Sequence, residues 1–202
     1  MNKQVYISAD YDLINGDQNV VDELNKWGGD NFHKVNFIDM SKVASGSITN
    51  SADCRMCDLK AEFNHQINAS SAVIFVVGDM TAYRTAGSGC KRYFKEQWEC
   101  TCTPYKQNTN GTKFCKVSSV FDPGENDDVG SINGYSYLRH EFEQAKKKKK
   151  TIIIVYNSTR YESNWLPTYM GDYEDYAKPF WKFDANGRKV GDYSYIKEVL
   201  GY

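Results

Sequence analysis

The sequence predicts an α/β fold in which a mostly parallel sheet carries helices on both faces. Two features predict it. Ala72 to Val77 and Thr151 to Tyr156 are unbroken apolar runs, the pattern of strands buried on both faces. Before each run lies a segment whose apolar residues recur at helical spacing, and strands alternating with helices build parallel sheets. The 202 residues suffice for one such domain and fall short of two ordinary domains with a linker, so a single domain over 1–202 is expected.

Taken in order, Gln4 to Ala9 reads as the first strand. A turn over Asp10 to Asp17 leads to a helix whose inward face carries Val20, Val21, Leu24 and Trp27, ended by Gly28-Gly29. Val35, Phe37 and Ile38 supply the β-formers of a second strand, Lys34 to Met40, and the polar loop Ser41 to Ser51 is expected beside the mouth of the site. Met56, Leu59, Phe63 and Ile67 space a helix over Ala52 to Ile67, ahead of the strand Ala72 to Val77. From 82 to 134 glycines, four of the six cysteines and the acidic stretch Asp122 to Asp128 replace clean periodicity, which marks an insertion. Tyr137, Leu138, Phe142 and Ala145 then form the inward face of a helix before the strand Thr151 to Tyr156. A last strand is expected at Phe180 to Phe183, a turn at Asp184 to Arg188 and a terminal helix at Tyr193 to Leu200. The order strand, helix, strand, helix, strand is flavodoxin-like in outline, a three-layer sandwich with one Cys-containing insertion.

Composition narrows the function. The formal net charge is -1, so no global basic field draws the chain to nucleic acid or to an anionic membrane. No apolar run approaches the roughly 20 residues that span a bilayer. The polar start Met1-Asn-Lys-Gln4 does not read as a signal peptide, so a soluble, cytoplasmic protein is expected. In that compartment the cysteines are free or metal-bound rather than bridged. Cys54 and Cys57 have C-x-x-C spacing, but inside a predicted helix and without a thioredoxin-like strand before them, which argues against redox work. Cys90, Cys100, Cys102 and Cys115 are spaced unlike paired C-x-x-C zinc ligands; no metal is expected, with a zinc staple across these four thiols as the alternative. Lys146 to Lys150 follow a helix and offset its negative end, and His33, His65 and His140 form no ligand set.

In an open parallel sheet, ligands bind beyond the carboxyl ends of the strands, where the strand order reverses. For the order expected here that crevice lies between the first and third strands, with loops Ser8-Ala-Asp-Tyr-Asp12 and Gly78-Asp-Met-Thr81. Glu141, one turn beyond Tyr137 on or beside the inward helix face, is the candidate working carboxylate. A lone helical glutamate is more often solvated and paired, here with Arg139 or Lys146. Ser8 and Thr81 suit strand-end turns as well as ligand donors. Asp10 and Asp12 would repel a phosphate, so they read as caps of the following turn, with ribose hydroxyls as alternative partners.

The run Ile67-Asn-Ala-Ser-Ser-Ala-Val-Ile-Phe-Val-Val-Gly-Asp-Met-Thr81, then Tyr137-Leu-Arg-His-Glu-Phe142 and a strand after a lysine-rich turn, resembles the TIR-like family that includes the NAD-consuming sensor of bacterial Thoeris antiphage systems. The family pattern is a strand ending in Gly-x-x-Thr and a helix with Trp-Val-x-x-Glu-Ile. Val5-Tyr-Ile-Ser-Ala-Asp-Tyr-Asp12 stands where the family has a Phe-x-Ser-Phe/Tyr strand end. The resemblance covers residues 3 to 81 and 135 to 202; Tyr137 replaces the family's tryptophan, and the insertion stands where the family has a short connection.

The resemblance implies an NAD+ glycohydrolase or ADP-ribosyl cyclase that cleaves the nicotinamide–ribose bond. The ADP-ribose, linear or closed into cyclic ADP-ribose, would signal to a downstream effector in antiviral defence. Glu141 would stabilise the oxocarbenium-like ribose, as in glycoside hydrolysis, with NAD+ as substrate and no cofactor. Ser8, Thr81 and loop amides such as that of Gly78 would meet the pyrophosphate, Asp10 the ribose hydroxyls, and Tyr11 or Tyr137 a ring. The alternatives are a non-catalytic TIR-like signalling or nucleotide-binding module acting through self-association, and a nucleoside-processing transferase on a similar sheet.

Overall fold

The structure, a computed structural model, describes residues 3–12, 14, 16–30, 32–33, 35–39, 55–84, 105–107, 113–115 and 136–202. In chain order, β1 (Lys3–Ser8), α1 (Gln18–Gly28), β2 (Val35–Asp39), α2 (Arg55–Ala69) and β3 (Ala72–Val77) precede the insertion. Within the insertion β4 (Tyr105–Gln107) pairs antiparallel with β5 (Lys113–Cys115). Then come α3 (Tyr137–Lys147), β6 (Thr151–Tyr156), β7 (Lys178–Pro179), β8 (Trp181–Phe183), β9 (Lys189–Gly191) and α4 (Tyr193–Leu200). Among the described residues the main sheet has five parallel strands in the order β2-β1-β3-β6-β7, so the order reverses between β1 and β3.

Pleating divides each strand's side chains between two cores. Val5, Ile7, Ile74, Val76, Ile153 and Val155 face α1 and α4, which contribute Val20, Leu24, Trp27, Ile196 and Leu200. Tyr6, Val73, Phe75, Val77, Ile154 and Tyr156 face α2 and α3, which contribute Phe63, Ile67, Leu138, Phe142 and Ala145. Every side chain of β3 is buried, which is why its sequence lacks alternation.

The helix α3 is set by three local features. The Ser136 hydroxyl caps it, accepting from the Arg139 amide at 3.0 Å. Phe142, fully buried, lies edge-on to Phe75 at 5.4 Å and to Tyr173; burying such a ring is worth about 2 kcal/mol. A polar ladder then aligns α3 with α2, since His140 Nε2 meets Asn64 Oδ1 at 3.0 Å and Gln144 Nε2 donates to Asn68 Oδ1 at 3.0 Å. The lysine run divides its work: Lys146 and Lys147 occupy the last turn of α3, while Lys150 Nζ donates to the carbonyls of Asn68 and Ser70 where α2 ends.

One expected strand lies in a separate sheet. The strand expected at Phe180 to Phe183 is β8, but it is not the last, since it pairs antiparallel with β9, and the edge beside β6 is taken by Lys178–Pro179. Pro179 has no N–H to offer a further strand, and proline is tolerated at such an edge. The turn between β8 and β9 is the expected one, with Asp184 N donating to Arg188 O and Gly187 at φ 75°. The helix expected from Ala52 is described from Arg55 and runs on to Ala69. Ser41 to Ser51, Cys54, Cys90, Cys100, Cys102 and Asp122 to Asp128 lie outside the described residues. No described helix is long and apolar enough to cross a membrane.

Candidate functional site

Ser8 closes β1 and Tyr6 precedes it by two, so pleating sends both side chains to the face that α3 covers. Across from them α3 presents Glu141. Tyr6 Oη donates to Glu141 Oε1 at 2.6 Å, and Ser8 Oγ donates to Oε2. Glu141 is 5% exposed and Tyr6 is fully buried, so the carboxyl is sealed between strand and helix. Glu141 is therefore not the solvated ion-pair partner that a lone helical glutamate usually is. Lys146 instead lies over the Phe142 ring, and Arg139 over that of Tyr169.

Burial pushes the Glu141 carboxyl from its ordinary 4.5 up to about 7, against the opposing pull of the Ser8 and Tyr6 hydrogen bonds. Burial, helped by the adjacent Glu141, also pushes the Tyr6 phenol well above its usual value, so Tyr6 remains a donor. A carboxyl that exchanges its proton near neutrality beside two fixed donors suits general acid–base work or the stabilisation of a cationic carbon. Each carboxylate oxygen accepts about two hydrogen bonds, which leaves one further acceptor position on each.

A second polar cluster lies beyond the carboxyl ends of β1, β3 and β6. Asp17 heads α1, but its carboxylate turns from the helix to accept from Asn157 Nδ2 at 2.9 Å. Asn157, the residue after β6, exchanges amide bonds with Asn19 at 2.9 and 3.1 Å and accepts from Trp181 Nε1 at 2.8 Å. Asp17 fits only because residue 78 is glycine: a Cβ there would stand 2.3 Å from Asp17 Oδ1. Burial raises the Asp17 carboxyl to about 6; the Asn157 bond opposes this and the charge of Asp10 adds to it.

On the facing loops Thr81 Oγ1 accepts from the Gly78 amide at 2.7 Å, closing the turn after β3. Asp10 Oδ1 accepts from the Asp12 amide and Asp12 Oδ1 from that of Ile14, two successive Asx turns. Arg84 Nε donates to Asp10 Oδ2 at 2.6 Å, and its Nη2 lies 3.6 Å from Asp12 Oδ1.

Glu141 and Ser8 thus meet directly, while Asp10, Gly78 and Thr81 line the crevice between β1 and β3. Tyr137 sits edge-on to Phe63 at 5.5 Å on the Glu141 side of the sheet. Tyr11 packs against the core on the other side, so the two tyrosines belong to opposite faces and form no common ring clamp. Ser8 commits its proton to Glu141, which removes it from the donors expected for pyrophosphate in this conformation. Four site residues escaped the reading of the sequence. Tyr6 carried a signal, its spacing of two from Ser8; Asp17 and Asn157 sat at ordinary helix-start and strand-end positions. Arg84 had no signal, falling among the first residues assigned to the insertion. Among the described residues no three His, Cys, Asp or Glu side chains gather as metal ligands.

Comparison with protein-family models, with curated proteins and with solved structures returns no match.

Proposed function

We propose that the protein is a TIR-like NAD+ glycohydrolase or ADP-ribosyl cyclase in which Glu141 acts on the ribose. The reading is supported by one observation above others, the buried Glu141 carboxyl gripped by Ser8 and Tyr6 at the carboxyl end of β1, beside the strand-order reversal. The order β2-β1-β3-β6-β7 matches that of flavodoxin-like sheets, whose ligands sit at this reversal.

Nicotinamide leaves NAD+ as a neutral base and needs no proton, so the useful form of Glu141 is the carboxylate. It faces the ribose carbon as positive charge develops there, and its remaining acceptor positions hold ribose hydroxyls. Ser8, at the outer end of the strand, gives up its bond to Oε2 when a ribose hydroxyl takes that position. Water completes hydrolysis, or an atom of the ADP moiety closes the ring, and the product passes to an effector. Nicotinamide release therefore rises as the pH passes about 7, where Glu141 ionises.

The test incubates the protein and its Glu141→Gln variant with NAD+ at low and high protein concentration and follows nicotinamide and ADP-ribose by chromatography. Release that depends on Glu141 supports the enzyme; absence of release at both concentrations removes it. A second reading, a nucleotide-binding module that works by assembly, draws on the same geometry, because each Glu141 oxygen already accepts a bond from Tyr6 or Ser8, as a structural carboxyl would. For that module Glu141→Gln leaves ligand binding and assembly unchanged.

A further inference from the structure

We propose that Arg84, oriented by Asp10, is the contact for the diphosphate of a nucleotide ligand in the crevice between β1 and β3; this rests on the nucleotide substrate proposed above. The argument begins with charge. Asp10, Asp12, Asp17 and Asp79 all lie on the loops that line the crevice, and a diphosphate meets repulsion from each of them. Arg84 is the one Lys, Arg or His within segments 8–17 and 78–84. Within these loops this guanidinium is the cationic contact a polyanion would find.

The geometry leaves the guanidinium usable. Of its five N–H donors, Nε–H is committed to Asp10 at 2.6 Å. Nη2 has only the 3.6 Å charge contact with Asp12 and makes no hydrogen bond. The side chain as a whole is 35% exposed, while Nη2 itself is shielded from solvent and has no hydrogen bond to offset that burial. Asp10 is itself fixed by the Asp12 amide at 3.0 Å, and through the Nε bond it holds the guanidinium plane across the crevice. A planar fork of this kind matches the oxygens of a phosphate, which a point charge does not. On binding, Asp12 moves aside to uncover Nη2, which then donates to the diphosphate while the bond to Asp10 persists.

The test measures binding of inorganic pyrophosphate by calorimetry to the full chain and to Arg84→Gln, Arg84→Lys and Asp10→Asn, with circular dichroism to establish that each variant is folded. Arg84→Gln is expected to weaken binding about tenfold to a hundredfold, the loss of a charge-assisted contact. Arg84→Lys keeps the charge without the fork and falls between that variant and the wild type. Asp10→Asn removes a repelling charge and has one oxygen where Asp10 uses two, so it keeps the Arg84 bond by giving up the one from the Asp12 amide, and it binds within a few-fold of the wild type. If Arg84 merely braces the two loops, Asp10→Asn weakens binding as much as Arg84→Gln does, and the proposal is overturned. It is overturned equally if Arg84→Gln has no effect or the wild type binds no pyrophosphate. Nicotinamide release is scored separately, so pyrophosphate held by Arg84 without any release from NAD+ leaves this site standing and removes the reaction.

Discussion

Replacing Glu141 by glutamine removes one titration and keeps the side chain's shape. An unfolded glutamate loses its proton near pH 4.5 and the folded Glu141 near 7. Below pH 4.5 both states hold the proton, and the wild type has its full stability relative to the variant. As the pH climbs from there, the unfolded chain releases a proton that the folded chain keeps, so wild-type stability falls at ~1.4 kcal/mol per pH unit. Above 7 both states are ionised and the loss is complete, about 3 kcal/mol over the interval. For a domain of this length that corresponds to a gap of about 6–12 °C in Tm. Asp17 titrates in both proteins and cancels in the difference. The assay is thermal unfolding by circular dichroism on wild type and Glu141→Gln at pH values from below 4.5 to above 7. The variant's Tm advantage should open across that window and then level off. A difference that does not change with pH, or that narrows as the pH rises, refutes the claim that burial holds this proton.

Ser8→Ala and Tyr6→Phe each remove a donor that favours the ionised carboxyl. Both should therefore move the pH at which nicotinamide release rises to higher values, with a stability loss of about 1–3 kcal/mol measured by urea unfolding above pH 7. Gly78→Ala drives a methyl group into Asp17 and should cost about 1–3 kcal/mol; pairing it with Asp17→Gly should recover part of that loss, read from the same unfolding curves. Asn157→Leu strands the Trp181 indole N–H and takes from Asp17 the bond that lowers its pKa. The Asp17 carboxyl should then titrate above 6, which carbon-13 NMR of the labelled side chain would detect.

The layers of this fold were readable because apolar periodicity records burial. β3 is apolar throughout, and β6 from Ile153, because helices cover both their faces, and Val20, Val21, Leu24 and Trp27 mark the buried stripe of α1. The end of the sheet was harder to read. Phe180 and Trp181 both have strand-like side chains, yet Phe180 is the bend between β7 and β8 and Trp181 pairs with β9, a choice made by pairing rather than propensity. At the site, Glu141 could be nominated from helix spacing, but its isolation from water could not, since this depends on Tyr6 and Ser8 arriving from a strand more than a hundred residues earlier. The Asp17–Asn157 bond and the Arg84–Asp10 pair are likewise long-range, joining residues whose local sequence reads as ordinary turn chemistry.

Two bonds that tie α3 to α2 among the described residues limit how Glu141 can move. Asn64 and Asn68 are four apart, as are His140 and Gln144, so the helices are engaged like two teeth of a rack. A displacement of α3 by part of a turn breaks both bonds together, which is costly at a buried contact. The next position that re-pairs His140, now with Asn68, lies a full turn away, ~5.4 Å along the axis. That step would carry Glu141 off Tyr6 and Ser8 altogether. The height of the carboxyl above β1 is thus a discrete setting rather than a continuous one.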